Sequence, residues 1–355
     1  MNFLFIGSTG GQAGHTILTW ALIERLLEKG FKVGFLKPFG THPILQDGDW
    51  VDQDALLFKS VLQLKEPFAD ICPYPLADKT TEQQSLDDIP RRIKTLAIEL
   101  SAGKDILIVM GSKHIFFDDA SFGISDIFLN RELKAEFILI ERFRSIPKSM
   151  YSILSIHSLL PERIKGIILN RASMEEMETI RSQLTLPLSK RGVDITAVLP
   201  EDPMLSMRSI GEVAQILEGK FLCGEDRGEE SISGTTLGSL ELKGDLQIFK
   251  RVFNKIILLR SEVVEAGDQK ASCPVAGMLI TGGRIPPLQI VEAAKKLKLP
   301  LLLVKDDTFK AMERLEETPA FFSPKDKGKV RYFMRLMDQD DALEKLIPSL
   351  DLSIR

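Results

Sequence analysis

Residues 3–16 read FLFIGSTGGQAGHT. An apolar run, FLFI, stops at a glycine-rich turn. The turn runs straight into ILTWALIERLLEKG, residues 17–30, which has the apolar spacing of a helix. Strand, glycine loop, helix is the order that cradles phosphate. Glycines let the backbone curl so that successive N–H groups point inward, and the helix N-terminus adds the positive end of its dipole. The usual form of such a loop is GxxxxGK followed by Ser or Thr, with the Lys on the β/γ phosphates and the hydroxyl on Mg²⁺. Here His15 stands at the Lys position and Thr9 at the first Gly of the strict pattern. Gly10, Gly11, Gly14, His15 and Thr16 are the phosphate-binding candidates, and the loop is either a working nucleotide site or the shell of one.

Outward from this loop, strands and helices alternate. KVGFLKP (residues 32–38), DILIVMGS (105–112), FILIE (137–141), KGIILN (165–170) and DITAVLPED (194–202) read as five more strands. Their apolar runs are continuous rather than alternating, as in strands covered on both faces. The expectation is an α/β fold with a doubly wound, mostly parallel sheet over residues 1–203, the architecture of P-loop nucleotide hydrolases. Between the second strand and the segment ALLFKSVLQL lies GTHPILQDGDWVDQD, read as a long polar loop with a functional role. Residues 85–104 read as a helix capped at Ser85 or by the acids after it, residues 145–160 as a helix, and residues 174–192 as one charged helix.

After residue 203 the texture changes. Residues 206–315 read as a smaller α/β unit, with EDRGEESISGTTLGSL as a loop and DLQIFKRVF as a helix. Residues 316–355 form a charged tail with one helix, RYFMRLMDQDDALEKL, whose apolar face (Phe333, Leu336, Leu343, Leu346) docks on a neighbour.

The whole chain has 355 residues, 44% hydrophobic and 27% charged, with a net charge of −4. That is an ordinary globular composition without the basic footprint of a nucleic-acid binder. Cys72, Cys223 and Cys273 lie far apart with no CxxC spacing, which excludes a disulfide framework or zinc site and fits a reducing cytoplasm. No stretch approaches ~20 consecutive apolar residues, so no membrane span is expected.

Ligands of open α/β sheets sit at the carboxyl ends of the strands, and the remaining candidates cluster there. Thr16 needs only its hydroxyl to hold Mg²⁺, or it simply opens a helix. Asp54 can hold metal, or cap a helix starting at Ala55. Lys37 can neutralise an acidic ligand, or merely flank a strand. Lys113 and His114 can reach a phosphate across the site, or lie on the surface. Met110 ends the third strand where a P-loop hydrolase often places an acid, and Met can neither hold metal nor activate water. In the second unit, Thr281, Gly282 and Gly283 permit close approach of a ligand or a partner chain, or form a tight turn.

The stretches GSTGGQAGHT, KVGFLKPFG, VDQDALLFKSVLQL, ICPYPL, DILIVMGS, IKGIILNRA and AVLPEDPMLS together resemble the dethiobiotin synthetase-like P-loop family, in the version fused to the N-terminus of long phosphotransacetylases. SIGEVAQILEGKFLCG and GMLITGGRIPP resemble the DRTGG domain that follows it there. The resemblance implies Thr16 and Asp54 at the Mg²⁺ site, Lys37 facing an acidic substrate, and Asn170 recognising a nucleotide base. It also marks departures: His15 for the Walker lysine, Met110 for the metal-site acid, and LLRSEVV for the glycine-bearing segment that names the second domain. No acetyltransferase domain follows before Arg355, so acetyl transfer is not expected.

The resulting expectation is a cytoplasmic regulatory or sensing protein, with no catalytic residue assigned. It would bind ATP, another nucleotide with Mg²⁺, or a small anion, with little or no hydrolysis. Two alternatives stay open. One is an ATP-dependent carboxylate-activating or phosphoryl-transfer enzyme with Lys113 or His114 replacing the missing lysine. The other is an interaction module that forms a homodimer through the second domain.

Overall fold

The computed structural model describes residues 2–46, 48–76, 88–112, 114–116, 123–232, 234–237, 256–260, 275–318, 321–350 and 352. The chain divides into two units, Met1–Glu201 with Phe322–Arg355, and Asp202–Phe321.

The first unit is built on a six-stranded sheet: β1 (Phe3–Ser8), β2 (Val33–Leu36), β3 (Ile106–Met110), β4 (Glu136–Arg142), β5 (Ile164–Ala172) and β6 (Ala197–Pro200). The spatial order is β6-β5-β4-β1-β3-β2, and every pairing is parallel. The chain winds out from β1 in both directions, so the sheet is doubly wound. The all-buried pattern of β2 and β3 follows from their apolar runs. Helices α1 (His15–Glu28), α2 (Gln53–Val61), α3 (Asp88–Leu100), α4 (Asp126–Leu133) and α5 (Ile146–Leu159) cover the sheet. On one face the core gathers Phe5, Val109, Phe137 and Leu169 with Ile93, Ile127 and Ile153 from three of those helices. The β1 and β3 ends are drawn together at the loop, Gly111 N donating to Ile6 O and Ile115 N to Ser8 O.

The long polar segment after β2 is a hairpin rather than a loop. Pro43–Gln46 pairs antiparallel with Asp49–Asp52, with Ile44 opposite Val51. Gly48, just before Asp49, has φ 95, the positive backbone angle a tight hairpin turn calls for. The charged helix expected over residues 174–192 runs without a gap from Met174 to Ser189, opening as a 3-10 turn and carrying a π turn at Arg181–Thr185 ahead of Pro187. The expected cap at Ser85 lies outside the described residues.

The tail is two helices, not one. In chain order α6 to α8 belong to the second unit: Ile210–Ile216, Leu288–Lys296 and Thr308–Glu317. They are followed by α9 (Lys327–Asp338) and α10 (Ala342–Ser349), separated where Asp341 turns left-handed at φ 52. Both tail helices pack within the first unit. Phe333, Leu343 and Leu346 are buried. Leu346 presses on β5 at Gly166, where a Cβ would stand 2.1 Å from Leu346 Cδ2. Asp340 accepts from Val198 N at 3.2 Å, and Arg25 meets Asp338 at 2.8 Å.

The second unit is smaller and mixed. Its strands, β7 (Lys220–Cys223), β8 (Gly234–Leu237), β9 (Ile256–Arg260), β10 (Val275–Ile280) and β11 (Leu301–Leu303), order as β7-β11-β10-β9-β8. Only the β10–β11 pair is parallel among the described strands. β8 lies within the stretch read as a loop from sequence, and the helix expected over residues 245–253 lies outside the described residues. No helix among the described residues is long and apolar enough to cross a membrane.

Candidate functional site

The glycine loop joins β1 to α1. Gly14 caps the helix in the left-handed region, φ 105, so His15 and Thr16 are its first two residues. A Cβ on Gly14 would stand 2.6 Å from Asn170 Nδ2. Both the backbone angle and that close approach require glycine. Gly14→Ala is therefore expected to lower stability by about 1–3 kcal/mol, read by thermal unfolding. An unchanged midpoint would show that the loop relaxes freely.

Asn170, at the carboxyl end of β5, is pinned to the loop. Its Nδ2 donates to Ala13 O at 2.8 Å, and its Oδ1 accepts from Arg171 N at 2.9 Å. In this arrangement the side chain shapes the loop, whatever it offers to a base.

The opposite wall carries a buried charge cluster. Lys37 directly follows β2 and is 1% exposed. Its ammonium meets Asp52 Oδ1 at 3.1 Å and is hydrogen-bonded to Asp54 Oδ2. Asp54 Oδ1 accepts from Thr16 Oγ1 at 2.8 Å. Asp52 is the N-cap of α2. Its carboxylate accepts from Asp54 N, Ala55 N and His42 N at 2.9, 3.2 and 3.0 Å. The cap is thus Asp52 and not Asp54, which leaves the Asp54 carboxylate free to turn towards Thr16 and Lys37. Two acids face one ammonium, and the N-terminal end of α2 offsets the surplus negative charge.

Burial pushes the Lys37 ammonium down, but Asp52 and Asp54 outweigh it and hold it above the ordinary lysine value. For Asp54 burial pushes upward, and Lys37 reverses the sign and holds the carboxyl below its ordinary value. Burial, then Asp52, raises the Cys72 thiol, so this neighbour is a neutral wall. His15 is held neutral, its imidazole pushed down to about 4 first by burial and then by Lys37. Its Nε2 is shielded and has no partner. At neutral pH the Walker position therefore carries no charge.

Three ligand atoms, one each from His42, Asp52 and Asp54, lie within 4.8 Å of one another. Their chemistry suits a divalent cation. With Lys37 seated, the same carboxylates are already neutralised, and a second cation between them would meet the ammonium. The residues present do not fit a bound Mg²⁺ in this arrangement. The strand end adds no acid, since the residue there is the buried Met110. The nearby Asp126 accepts from Ser112 N at 2.9 and 3.1 Å. Lys113 lies outside the described residues, and His114 stacks near Phe116 with 5.8 Å between ring centroids.

Sequence reasoning missed Asp52, His42, Glu141, Arg142, Arg144 and Arg171. The last four lie at or just beyond the carboxyl ends of β4 and β5 and reach the loop only through the sheet order. In the second unit Thr281 is buried and its Oγ1 lies 2.7 Å from Thr308 Oγ1. Gly282 N donates to Asp306 O and Gly283 N to Val304 O, both glycines having positive φ. This Gly pair forms a tight turn between the β10 and β11 ends.

A family model described as an AAA domain matches residues 2–209. The chain belongs to that family. A DRTGG domain follows over residues 212–318. The phosphate acetyltransferase of Synechocystis sp. is 22% identical over 364 residues, covering 97% of this chain and 51% of that protein. The ATP-dependent dethiobiotin synthetase BioD of Ruthia magnifica is 24% identical over 189 residues, covering 50% of this chain and 88% of that protein. This chain therefore spans about half the length of the acetyltransferase it matches. The septum site-determining protein MinD of Pyrococcus horikoshii, solved with Mg-ADP, covers 57% of this chain and 83% of its own at 19% identity. Its TM-score of 0.37 is too low to carry a functional reading. The AAA-family unit is a P-loop domain related to dethiobiotin synthetase, followed by a DRTGG domain.

Proposed function

We propose that this protein is a regulatory or sensing module whose P-loop domain binds a nucleotide or another small phosphorylated anion with little or no hydrolysis. The observation that carries this is the seat of Lys37 between Asp52 and Asp54. The carboxylate assigned to Mg²⁺ by resemblance is neutralised from within. The neutral imidazole of His15 brings no positive charge to the β/γ phosphates, and the thioether of Met110 neither holds metal nor activates water. The glycine loop and the α1 N-terminus remain as an anion cradle. A cytoplasmic setting is part of this reading, supported by the free thiols of Cys72 and Cys223.

The test is a thermal-shift panel of nucleotides, with and without Mg²⁺, on wild type and His15→Lys, alongside phosphate release. Wild type is expected to be stabilised by at least one nucleotide without turnover, and His15→Lys to bind more tightly. An appreciable ATPase rate that disappears in Asp54→Ala would overturn the reading.

A second reading is an ATP-dependent enzyme acting on a carboxylate. It is favoured by the Thr16–Asp54–Lys37 chain of contacts and by the relation to a synthetase named as ATP-dependent. It requires a product formed from ATP, and a flat titration at millimolar ATP would remove it.

A further inference from the structure

The loop's missing cation has a replacement elsewhere in the sheet. β4 ends at Arg142, and two residues on comes Arg144. β5 carries Arg171 at its own carboxyl end. We propose that Arg142, Arg144 and Arg171 form a guanidinium clamp beside the glycine loop, which takes the phosphate groups of a nucleoside polyphosphate without a divalent ion. This rests on the nucleotide-binding reading above and assigns the residues that do the binding.

Two of the guanidiniums touch the loop directly, and the third lies close enough to Arg142 to feel its charge. Arg142 Nη1 donates to Gly11 O at 3.0 Å. A guanidinium has five N–H donors, and this contact uses one. Arg144 lies against Gly10, where a Cβ would stand 2.5 Å from its Nη2. Glycine at that position is what lets the guanidinium settle on the loop. Among the described residues Arg144 has no hydrogen-bonded or ion-pair partner. Arg171 is placed by the left-handed turn at φ 61 that follows Asn170, the residue pinned to Ala13.

The cluster is short of negative charge. Glu201 approaches Arg171 only to 3.7 Å and is itself exposed. Arg171 lies below the ordinary arginine value, first through burial and then through the charge of Arg142, so the two guanidiniums repel. Glu141, on which the charge of Arg144 acts, is pushed up to about 7 by burial and is only part-charged near neutrality. Like charges gathered at a helix N-terminus are relieved by an anion, and phosphate matches the guanidinium fork bidentately. No metal bridge is needed, because the arginines supply the neutralising charge directly. Lys37, a further cation of this site, is consumed by its two acids.

Isothermal titration of the full chain with ATP, inorganic tripolyphosphate and adenosine, in EDTA and in Mg²⁺, decides the matter. ATP and tripolyphosphate are expected to bind in EDTA with a Kd within about twofold of that in Mg²⁺, and adenosine not to bind, since the contacts are to phosphate. Arg144→Ala should weaken ATP binding about tenfold or more, the size of a lost charge-assisted hydrogen bond. Its unliganded unfolding midpoint should stay unchanged near pH 5, where Glu141 is protonated and draws nothing from Arg144. Arg144→Lys should recover part of the affinity. If ATP binds only with Mg²⁺, or binds Arg144→Ala as well as wild type, the clamp is wrong while the nucleotide-binding reading stands. If neither ATP nor tripolyphosphate binds wild type, both fail together.

Discussion

Lys37→Met is expected to lower the folding stability of the first unit by about 3–5 kcal/mol at pH 7, the usual loss when one partner of a buried ion pair is removed. The side chain is fully enclosed, and its ammonium is the shared counter-charge of Asp52 and Asp54. Asp52 would keep its three backbone N–H donors and so some compensation. Asp54 would keep the Thr16 hydroxyl alone among its side-chain contacts. The pH dependence follows from the direction of the Asp54 shift. In wild type Lys37 holds the carboxyl below its ordinary value against burial. That contribution is present above the ordinary carboxylate range and fades as pH falls through the folded value. In the variant only His42 and the Thr16 hydroxyl still oppose burial, the carboxyl rises, and protonation relieves the site. The gap between wild type and variant should therefore narrow on acidification. Urea unfolding at pH 7 and pH 5 checks both parts. Adding Asp52→Asn and Asp54→Asn to Lys37→Met should restore much of the loss, because a neutral cluster leaves no unpaired charge. A loss below about 1 kcal/mol in the single variant, the level of an exposed pair, would show that water reaches the cluster. The occupied-carboxylate basis of the proposed function would then weaken.

How far the sequence could be read follows from which contacts are local. The six parallel strands were legible because each is a continuous apolar run, and the loop because its glycines sit between a strand and a helix. The hairpin over residues 43–52 was not, since its two strands are only four residues each and lie among Gly, Asp and Gln. With the hairpin missed, Asp52 was missed too. Its cap geometry depends on His42 N being brought back to it across ten residues. The same oversight gave the cap to Asp54. Thr16, Lys37 and Asp54 were named singly, each beside a bland alternative. What the sequence could not show is that they touch, because their contacts span 17 and 38 residues. The arginines were further out of reach. Arg142 is 131 residues from the glycine it holds, and only the β4–β1 adjacency joins them. The tail helix was read correctly as amphipathic but as one piece, since the break at Asp341 leaves the apolar spacing nearly in phase.

Glu141→Gln is expected to stabilise the protein at pH 8 and to leave it nearly unchanged near pH 4.5. Glu141 ends the apolar run of β4, is 2% exposed, and has an Oε2 without a partner. Burial raises its carboxyl from the ordinary 4.5 to about 7, and nearby hydroxyls and the charge of Arg144 pull it back only in part. Between those two values the folded chain binds a proton that the unfolded chain has lost. Stability therefore falls as pH rises from about 4.5 to about 7 and then levels off. A shift of that size corresponds to roughly 3 kcal/mol, an upper figure for the ionised group at alkaline pH. Gln keeps the shape and removes the buried charge, so its stability should be flat over the same range. Thermal unfolding of both proteins at pH 5 and pH 8 reads the difference directly. The same substitution bears on the clamp. An ionised Glu141 draws on Arg144 from within, in competition with an anion at the loop, so wild-type affinity for tripolyphosphate should weaken above pH 7 and that of Glu141→Gln should not. Parallel pH profiles of affinity in the two proteins would show that Arg144 does not answer to Glu141. The carboxylate would then affect folding alone.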